Sequence, residues 1–320
     1  MRGDIDALRM RDEKTVAYRS TRDGVMHACG HDAHAAIVLG AAMALHACKS
    51  LLPWPTYWRA IFQPAEETYQ GAVEMIDAGA VEDLQAIISV HVDPERAVGR
   101  IGVRSGPLTA FCEGMDVSIR GQGGHAARPH HTVDPISVAI QFVNSVYYYI
   151  PRLVDSRDPV VVSFGVIEGG ANPNVIPELV ALRGTVRTLS RTSSARVKER
   201  ILAIGHGLSE ASQAQVDVSF HRGPDSVVND PRITEVCAAA GTDLLGKEQI
   251  DGVALPSMGG EDFAAYLSHV PGCMLRLGVA APTGTGDFLH SPRFDIDERA
   301  ITIGAKLLAR SLVMLSFPRR

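Results

Sequence analysis

The sequence predicts an α/β fold, in which a mostly parallel sheet covered by helices is interrupted by a smaller, inserted βαββαβ unit of the ferredoxin type. Residues 86–90 are almost entirely apolar, which is typical of a parallel strand buried between helices. Residues 114–120 instead alternate in character, which is typical of a sheet with one covered face. The predicted domains are 1–108 and 225–320, which together form the larger domain, and 109–224, which forms the inserted one.

The first part of the chain repeats a strand, a loop and a helix. Residues 2–8 read as the end of a strand, so either this strand lies at a sheet edge or sequence that would precede it is absent. Small and apolar residues then recur at helical spacing over 32–49. The predicted elements that follow are a strand over 56–62 that must stop at Pro64, a helix over 71–78 that ends at Gly79, and the strand over 86–90 with His91 at its end.

The pattern changes near Gly106 and Pro107. In the inserted domain we expect strands over 114–120, 160–168, 178–189 and 215–221 and helices over 134–150 and 193–212. Their order is βαββαβ, the signature of a ferredoxin-like unit. After about Pro224 the α/β pattern resumes, with helices over 233–245, 261–267 and 297–315 and a strand over 273–279.

The composition excludes several classes of partner. The chain has 320 residues, 46% of them hydrophobic, and a formal net charge of −5, so neither nucleic acid nor an anionic membrane is an expected partner. No apolar segment is long enough to cross a bilayer. Five scattered cysteines, an odd number, do not indicate a disulfide framework and favour a reducing, cytoplasmic location. The expected partner is a small-molecule substrate.

Residues 26–34 (MHACGHDAH) combine a thiol, three imidazoles and a carboxylate just before the first predicted helix. Cys29 and His31 are two positions apart, and Gly30 lets the backbone bend so that both side chains can reach one ion or two adjacent ions. Sulfur beside imidazole favours Zn, Co, Ni or Mn over Mg or Ca. Taken alone, the segment is equally compatible with a buried cysteine in a histidine-rich turn.

Other polar side chains are expected at the same place in the fold. In open α/β sheets ligands bind beyond the carboxyl ends of the strands, where Glu66, Glu67 and His91 fall, and His290 stands between the last strand and the last helix. Singly, a pair of glutamates is typical of a solvated helix start, and each histidine is typical of a hydrogen-bonded surface position. Together they predict a site for two ions with the ligands Cys29, His31, Glu67, His91 and His290.

Two adjacent glutamates can divide the chemistry of such a site. One of them can bind a metal, while its neighbour, left free, acts as general base on water and then as acid to the leaving nitrogen. Asp6 and Asp32 are candidates to orient the histidine ligands through hydrogen bonds. The predicted cofactors are therefore two divalent metal ions.

Several segments, spread over essentially the whole chain, carry a family resemblance. They are residues 4–8, 26–34, 62–67, 124–127, 129–130, 134–136, 174–177, 184–188, 260–264 and 290–292. In these segments, and in their order, the chain resembles the amidohydrolase branch of the M20 metallopeptidases. That group includes hippurate hydrolases, N-acyl-amino-acid amidohydrolases and plant auxin-conjugate hydrolases.

The resemblance implies the same metal ligands, with Glu66 as the base. It also implies a homodimer formed through the inserted satellite domain, in which His125 reaches the site of the neighbouring subunit and stabilises the oxyanion. Asn174 and Arg187 would bind the carboxylate of the substrate. From the residues alone, Arg187 would more often be a cross-strand surface charge, and the pair at 261–262 is at least as well explained as a helix cap.

These features predict a metal-dependent amidohydrolase. Its expected substrates are N-acyl or N-aroyl amino acids of the hippurate type, which it would cleave to a carboxylic acid and an amino acid. A dipeptidase or carboxypeptidase of the same family is an alternative. A truncated, catalytically silent protein that binds metal or dimerises is another, which the abrupt start at Met1 favours.

Overall fold

A computed structural model of the chain describes residues 1–281 and 287–316. The strands are β1 (Arg2–Asp4), β2 (Ile61–Gln63), β3 (Ile87–Ala97), β4 (Ile101–Val103), β5 (Gly106–Pro107), β6 (Phe111–Arg120), β7 (Gly124–His125), β8 (Val160–Gly169), β9 (Val175–Ile176), β10 (Leu179–Thr188), β11 (Gln215–Arg222), β12 (Val228–Asn229), β13 (Ile250–Gly252) and β14 (Gly272–Ala280). The helices are α1 (His31–Ala47), α2 (Gly71–Asp77), α3 (Pro135–Leu153), α4 (Arg191–Ser212), α5 (Pro231–Leu245), α6 (Phe263–Leu267) and α7 (Arg299–Leu315). None of the helices in these described ranges combines the length and the apolarity that crossing a membrane requires.

The chain divides into two compact units, of which the larger contains Met1–Leu108, Val227–Pro256 and Glu261–Arg320. Its six-stranded sheet has the order β13-β4-β14-β3-β1-β2. Neighbouring strands are parallel, except that β4 and β14 are antiparallel. The prediction of a mostly parallel α/β sheet is therefore confirmed. The first strand, β1, pairs on both sides and does not lie at an edge.

Alternate residues of the central strands pack on opposite faces of this sheet. On β3, Ile88, Val90 and Val92 belong to a buried cluster that includes residues of α1, α5 and α7. Ile87 belongs to a second cluster, which includes residues of α2 and α6. Because a strand alternates its side chains with a period of two, helices on both sides bury nearly every residue of β3 up to its middle. This burial explains the apolar run at 86–90.

Two strand boundaries differ from the prediction. β3 continues to Ala97 because β14 pairs with it far beyond residue 90, so His91 lies within the strand and not at its end. β2 contains only Ile61–Gln63, since these are the residues that pair with β1. The predicted strand over 56–62 is therefore wrong at 56–60.

The second unit contains Thr109–Ser226 and Ser257–Gly260. It is built on an antiparallel sheet with the order β11-β6-β10-β8. Along the chain, α3 lies between β6 and β8 and α4 lies between β10 and β11, which gives the order βαββαβ. Both helices pack on one face of the sheet, where Phe142 of α3 and Ile201 of α4 are buried in one apolar cluster.

This second unit includes a short segment that the sequence assigned to the larger domain. The amide of Ala110 donates a hydrogen bond to the carbonyl oxygen of Gly259 at 3.1 Å. The guanidinium of Arg187 donates one to the carbonyl oxygen of Met258 at 2.9 Å. These bonds attach residues 257–260 to the antiparallel sheet.

A glycine at the start of α2 shapes the turn that follows β2. At Gly71 a β-carbon would lie 1.6 Å from the carbonyl oxygen of Pro64, which no side chain can occupy. We expect Gly71→Ala to displace this turn and to lower the free energy of unfolding of the larger unit by about 1–3 kcal/mol. Urea denaturation of the purified variant measures the change.

The matched control is Gly252→Ala in the same unit, where no atom lies within 4 Å of the added β-carbon. We expect its free energy of unfolding to stay within about 0.5 kcal/mol of the parent value. Coincident unfolding curves for the two variants would contradict the assignment of Gly71 to a close-packed turn.

Candidate metal centre

Sulfur, nitrogen and oxygen ligands from distant parts of the chain meet in the larger unit. The ligand atoms of Cys29, His31 and His91 lie within 4.8 Å of one another, and so do those of Cys29, Glu67 and His290. The two groups share the thiol of Cys29. The structure thus brings all the ligands named from the sequence into two overlapping sets, which is the arrangement that two adjacent ions require.

The backbone at Gly30 allows Cys29 and His31 to enter the same cluster. Gly30 has a positive φ of 76° and precedes α1 directly. A β-carbon there would lie 2.6 Å from Val92, so both the conformation and the space favour glycine. The thiol of Cys29 and the ring of His31 are both buried as a result.

His91 is held with one ring nitrogen available. Its Nδ1 donates to the backbone carbonyl of Val92 at 2.8 Å, which leaves Nε2 as the nitrogen with a lone pair. This Nε2 lies 3.7 Å from Sγ of Cys29. Burial, together with the neighbouring His34 and Arg276, holds the pKa of His91 well below its usual value. The ring is therefore neutral, as a metal ligand must be.

Asp6 connects two parts of the cluster. One carboxylate oxygen lies 3.0 Å from Nδ1 of His31, and the other accepts a hydrogen bond from the amide of Glu67 at 3.0 Å. Burial alone would lower the pKa of His31, but the hydrogen bond to Asp6 and the nearby charge of Asp4 raise it to about 9. Because Asp6 contacts Nδ1, the other ring nitrogen of His31, Nε2, points away from Asp6. The second bond of Asp6 anchors the turn that carries Glu67.

Asp32 does not have the role that the sequence suggested. Its side chain is exposed, and it accepts a hydrogen bond from the amide of Ala33 at 2.9 Å. His31 is buried, so the exposed carboxylate next to it in sequence is not the one that orients its ring. Asp6 supplies that contact, and Asp4 lies 3.7 Å from the other ring nitrogen.

The sequence analysis gave no role to His34, which connects Asp4 to the backbone next to His91. Its Nδ1 lies 2.5 Å from Asp4, and its Nε2 accepts a hydrogen bond from the amide of Val92 at 2.9 Å. Since Nε2 of His34 accepts this bond, Nδ1 is the nitrogen that donates to Asp4. Its position three residues after His31 on one helix puts both rings on the same face, and this spacing is the signal that could have identified it.

The two glutamates after β2 differ in their contacts. Oε1 of Glu67 is buried, has no hydrogen-bond partner within residues 1–281 and 287–316, and lies 3.4 Å from Nε2 of His290. Glu66 is also buried, and Oε2 of its carboxylate lies 3.9 Å from Nε2 of His31. Burial, followed by the charge of Glu261, raises the pKa of Glu66 to about 10. Its side chain forms no hydrogen bond with residues that the structure describes, which leaves it free for proton transfer.

His290 occupies the exposed end of the cluster. Its backbone has a positive φ of 64°, and its amide donates to the carbonyl oxygen of Ala28 at 2.8 Å, next to Cys29. The side chain is 54% exposed. Contact with Glu67 raises the pKa of its ring above the usual value.

A buried arginine that the sequence analysis missed lies beside these carboxylates. Arg2 is fully buried and bonds Asp4 at 2.7 Å, Asp262 at 2.9 Å and Glu261 at 3.1 Å. Burial alone would lower the pKa of Arg2, but these carboxylates raise it instead. Glu261 also accepts a hydrogen bond from the amide of Phe263 at 2.9 Å, which is the capping role considered from the sequence.

The remaining predicted residues lie in the second unit. His125 on β7 pairs with Val175 on β9, and the amide of Ala126 donates to the carbonyl oxygen of Asn174 at 3.1 Å, so His125 and Asn174 occupy adjoining segments. Both side chains are exposed. Arg187 lies on β10, where its guanidinium contacts the carbonyl oxygen of Met258 and is only partly exposed.

The residues of the larger unit fit a divalent cation. Nε2 of His31 and Oε1 of Glu67 are buried atoms with no hydrogen-bond partner in the described part of the chain, which is costly unless something else satisfies them. Burial, then the carboxylates of Glu67 and Glu66, raises the pKa of Cys29. The cluster thus concentrates negative charge that a cation would balance. Its mixed sulfur, nitrogen and oxygen donors suit Zn and similar metals.

A cluster of this composition, above a parallel sheet and next to a free carboxylate, defines the class of metal-dependent hydrolases. Residues 1–313 match the model of peptidase family M20/M25/M40. The chain belongs to this family and is a hydrolase.

Related proteins agree with this assignment. The chain is 39% identical over 311 residues to the N-acetyl-L-cysteine deacetylase of Bacillus subtilis strain 168, covering 97% of this chain and 73% of that protein. It is 37% identical over 306 residues to the N-acetyldiaminopimelate deacetylase of Shouchella clausii strain KSM-K16, covering 94% and 79%. The crystal structure of the Bacillus subtilis YXEP protein, a dinuclear metal binding peptidase from the M20 family, is similar with a TM-score of 0.83 and 32% identity, covering 98% of this chain and 80% of that one.

The hydrogen bonds of Asp6 give a direct test of the metal centre. Because Asp6 contacts both His31 and the amide of Glu67, we expect Asp6→Ala to weaken metal binding about 10- to 100-fold. Equilibrium dialysis against Co or Zn, followed by elemental analysis, measures the affinity. Asp32→Ala is the matched control, and we expect it to bind metal like the parent chain. An equal loss of affinity in both variants would show that the contacts of Asp6 are irrelevant to binding.

Proposed function

We propose that the chain is a metal-dependent amidohydrolase that cleaves the amide bond of N-acyl amino acids, releasing a carboxylic acid and an amino acid. N-aroyl substrates such as hippurate belong to the same proposal. The observation that carries it is the free, buried carboxylate of Glu66 beside a cluster of soft and borderline metal ligands. The names of the two deacetylases described above support N-acetyl amino acids as the first substrates to test.

We propose that two divalent cations of the Zn, Mn, Co or Ni type bind here. Cys29, His31 and His91 would hold one, and Cys29, Glu67 and His290 would hold the other. Cations held at this place would supply Lewis acidity, which activates water and polarises a carbonyl group. The dinuclear centre of the similar YXEP protein supports the number of ions.

Glu66 moves the proton in this mechanism. Its carboxylate takes a proton from water as the water oxygen bonds to the amide carbon. The same group then donates that proton to the nitrogen, the carbon–nitrogen bond breaks, and the amino acid leaves. A pKa above the usual value suits this role, because a carboxylate with the ordinary low pKa is too weak a base to take the proton from water.

We assign three residues of the second unit to binding the substrate. His125 is assigned to the developing oxyanion, and its exposed position on β7 leaves it available to a substrate. Asn174 and Arg187 are assigned to the carboxylate of the substrate. The planar guanidinium of Arg187 suits a carboxylate, and its contacts with Met258 and with Sγ of Cys112 both use Nη1.

The assignment of Glu66 predicts the behaviour of an isosteric variant. We expect Glu66→Gln to lower kcat by about 10²- to 10⁴-fold with metal content unchanged, because the amide cannot accept the proton. The measurements are hydrolysis of N-acetyl and N-benzoyl amino acids and elemental analysis of the same samples. Dipeptides with a free amine, in parallel assays, separate this activity from that of a dipeptidase.

The matched control for this variant is Glu74→Gln on the exposed surface of α2. It removes the same charge outside the cluster, and we expect parent activity. A Glu66→Gln enzyme as active as this control would exclude Glu66 as the base. Hydrolysis of dipeptides alone would exclude the proposed substrate class.

We also propose a cytoplasmic homodimer formed through the second unit. All five cysteines are free, which supports a reducing compartment. β8 lies at an edge of the antiparallel sheet, and α3 exposes an apolar stripe that includes Ile140 at 58% and Tyr147 at 47%. A second copy that aligned its own β8 antiparallel to this edge would pair the strand and cover the stripe by one symmetric contact.

A charge on this stripe tests the dimer. We expect Ile140→Glu to convert a dimer to a monomer in sedimentation velocity, since an isologous contact places two copies of the new charge at one interface. Leu202→Glu on α4, also an exposed apolar position of this unit, is the control and should remain dimeric. A monomeric parent chain, or a dimer unaffected by Ile140→Glu, would exclude this interface.

A further inference from the structure

Arg276 of the larger unit is a partly buried arginine without a partner among the residues that the structure describes. Arg276 lies on β14 and is only partly exposed. Within residues 1–281 and 287–316 its guanidinium has no ion pair or hydrogen bond. The other two arginines on the strands of this sheet are both paired, Arg2 with Asp4 and Arg96 with Asp93 and Asp251. Arg104, directly after β4, bonds the backbone carbonyls of 107, 253 and 254. An unpaired guanidinium in a partly buried place is costly unless a ligand completes it.

The strand register places Arg276 beside a metal ligand. In the parallel ladder of β14 and β3, Arg276 is the direct neighbour of His91. Leu275 and Leu277 face the cluster that includes α1, α5 and α7, so Arg276 lies on the opposite face of the sheet. Val90 and Val92 face that same cluster, so His91 shares the face of Arg276.

The neighbour of Arg276 on the other side is a glycine, close to a second arginine. On the other side of β14, Arg276 is opposite Gly102 of β4. A β-carbon at Gly102 would lie 3.0 Å from Cβ of Arg276 and 3.0 Å from Cζ of Arg96. The charge of Arg96 is taken up by Asp93 and Asp251, whereas that of Arg276 is not.

The electrostatics agree with a guanidinium that is available to bind an anion. Burial lowers the pKa of Arg276, while the more distant carboxylates of Glu261 and Asp93 and the thiol of Cys29 act in the opposite direction. None of these groups lies within ion-pair distance of the guanidinium. The local negative charge therefore influences Arg276 without occupying its hydrogen-bond donors.

We propose that Arg276 is a specificity-determining residue that binds a carboxylate at the metal centre. This inference rests on the proposed function, in which substrate and both products carry a carboxylate. Its guanidinium can grip two oxygens at once, next to the ligand His91. The bound group is either the α-carboxylate of the amino acid or the carboxylate released from the acyl group. Both share the same recognition chemistry.

Binding and kinetics of Arg276→Met test the proposal. We expect the dissociation constants of benzoate or of a free amino acid, measured by calorimetry on metal-loaded protein, to rise roughly 10- to 100-fold when the charged donors are lost. If only the dissociation constant of benzoate rises, Arg276 binds the carboxylate of the acyl product. If only that of the amino acid rises, Arg276 binds the α-carboxylate. KM for an N-acyl amino acid should rise in the second case, while KM for its uncharged amide should not.

Two further variants keep this test decisive. Arg276→Lys retains a charge without the planar fork, and we expect intermediate affinities. Arg100→Met removes a nearby cation whose guanidinium is already bonded to Asp251 at 2.9 Å, and we expect parent affinities. Parent affinities in Arg276→Met, or loss of metal from both Arg276 variants, would overturn the proposal. An inactive parent that still loses benzoate binding on Arg276→Met would refute the proposed function but not this site.

Discussion

The buried guanidinium of Arg2 is the constraint on which the rest of the centre depends. It neutralises Asp4, Glu261 and Asp262 in a place without solvent, where a carboxylate that loses its partner takes up a proton or destabilises the fold by about 3–5 kcal/mol. With Arg2 present, the pKa of Asp4 lies well below its usual value: burial alone would raise it, and Arg2, together with His34 and His31, outweighs that effect. A charged Asp4 is what the neighbouring imidazoles require.

A chain of contacts carries this constraint to the ligands. Nδ1 of His34 donates a hydrogen bond to Asp4, and the amide of Val92 donates one to Nε2 of His34. Nδ1 of His91 in turn donates to the carbonyl oxygen of Val92. Each bond determines which ring nitrogen carries the proton in the next residue. The guanidinium of Arg2, on a different strand, thus determines through this chain which ring nitrogen of His91 is free. Asp6 does the same for His31 through one direct bond.

The sequence predicted the parts of this structure that depend on local pattern. The parallel sheet followed from one apolar run, and the candidate ligands followed from their positions after predicted strands. Strand ends were less predictable: β3 continues past His91 only because β14 lies beside it, a pairing between segments about 185 residues apart that no local pattern encodes. Asp32 was misjudged because adjacency in sequence to His31 says nothing about burial. Arg2 was missed because its partners at 261–262 become neighbours only in the folded chain.

The exposure of His290 gives the two ligand sets different access to solvent. Cys29, His31 and His91 are all buried, whereas the second set ends in a side chain that is 54% exposed on a turn with positive φ. Ions held by the second set would exchange with the surrounding solution more readily than those held by the first. A half-loaded protein, with the inner position filled, is then the natural intermediate of both metal uptake and chelation.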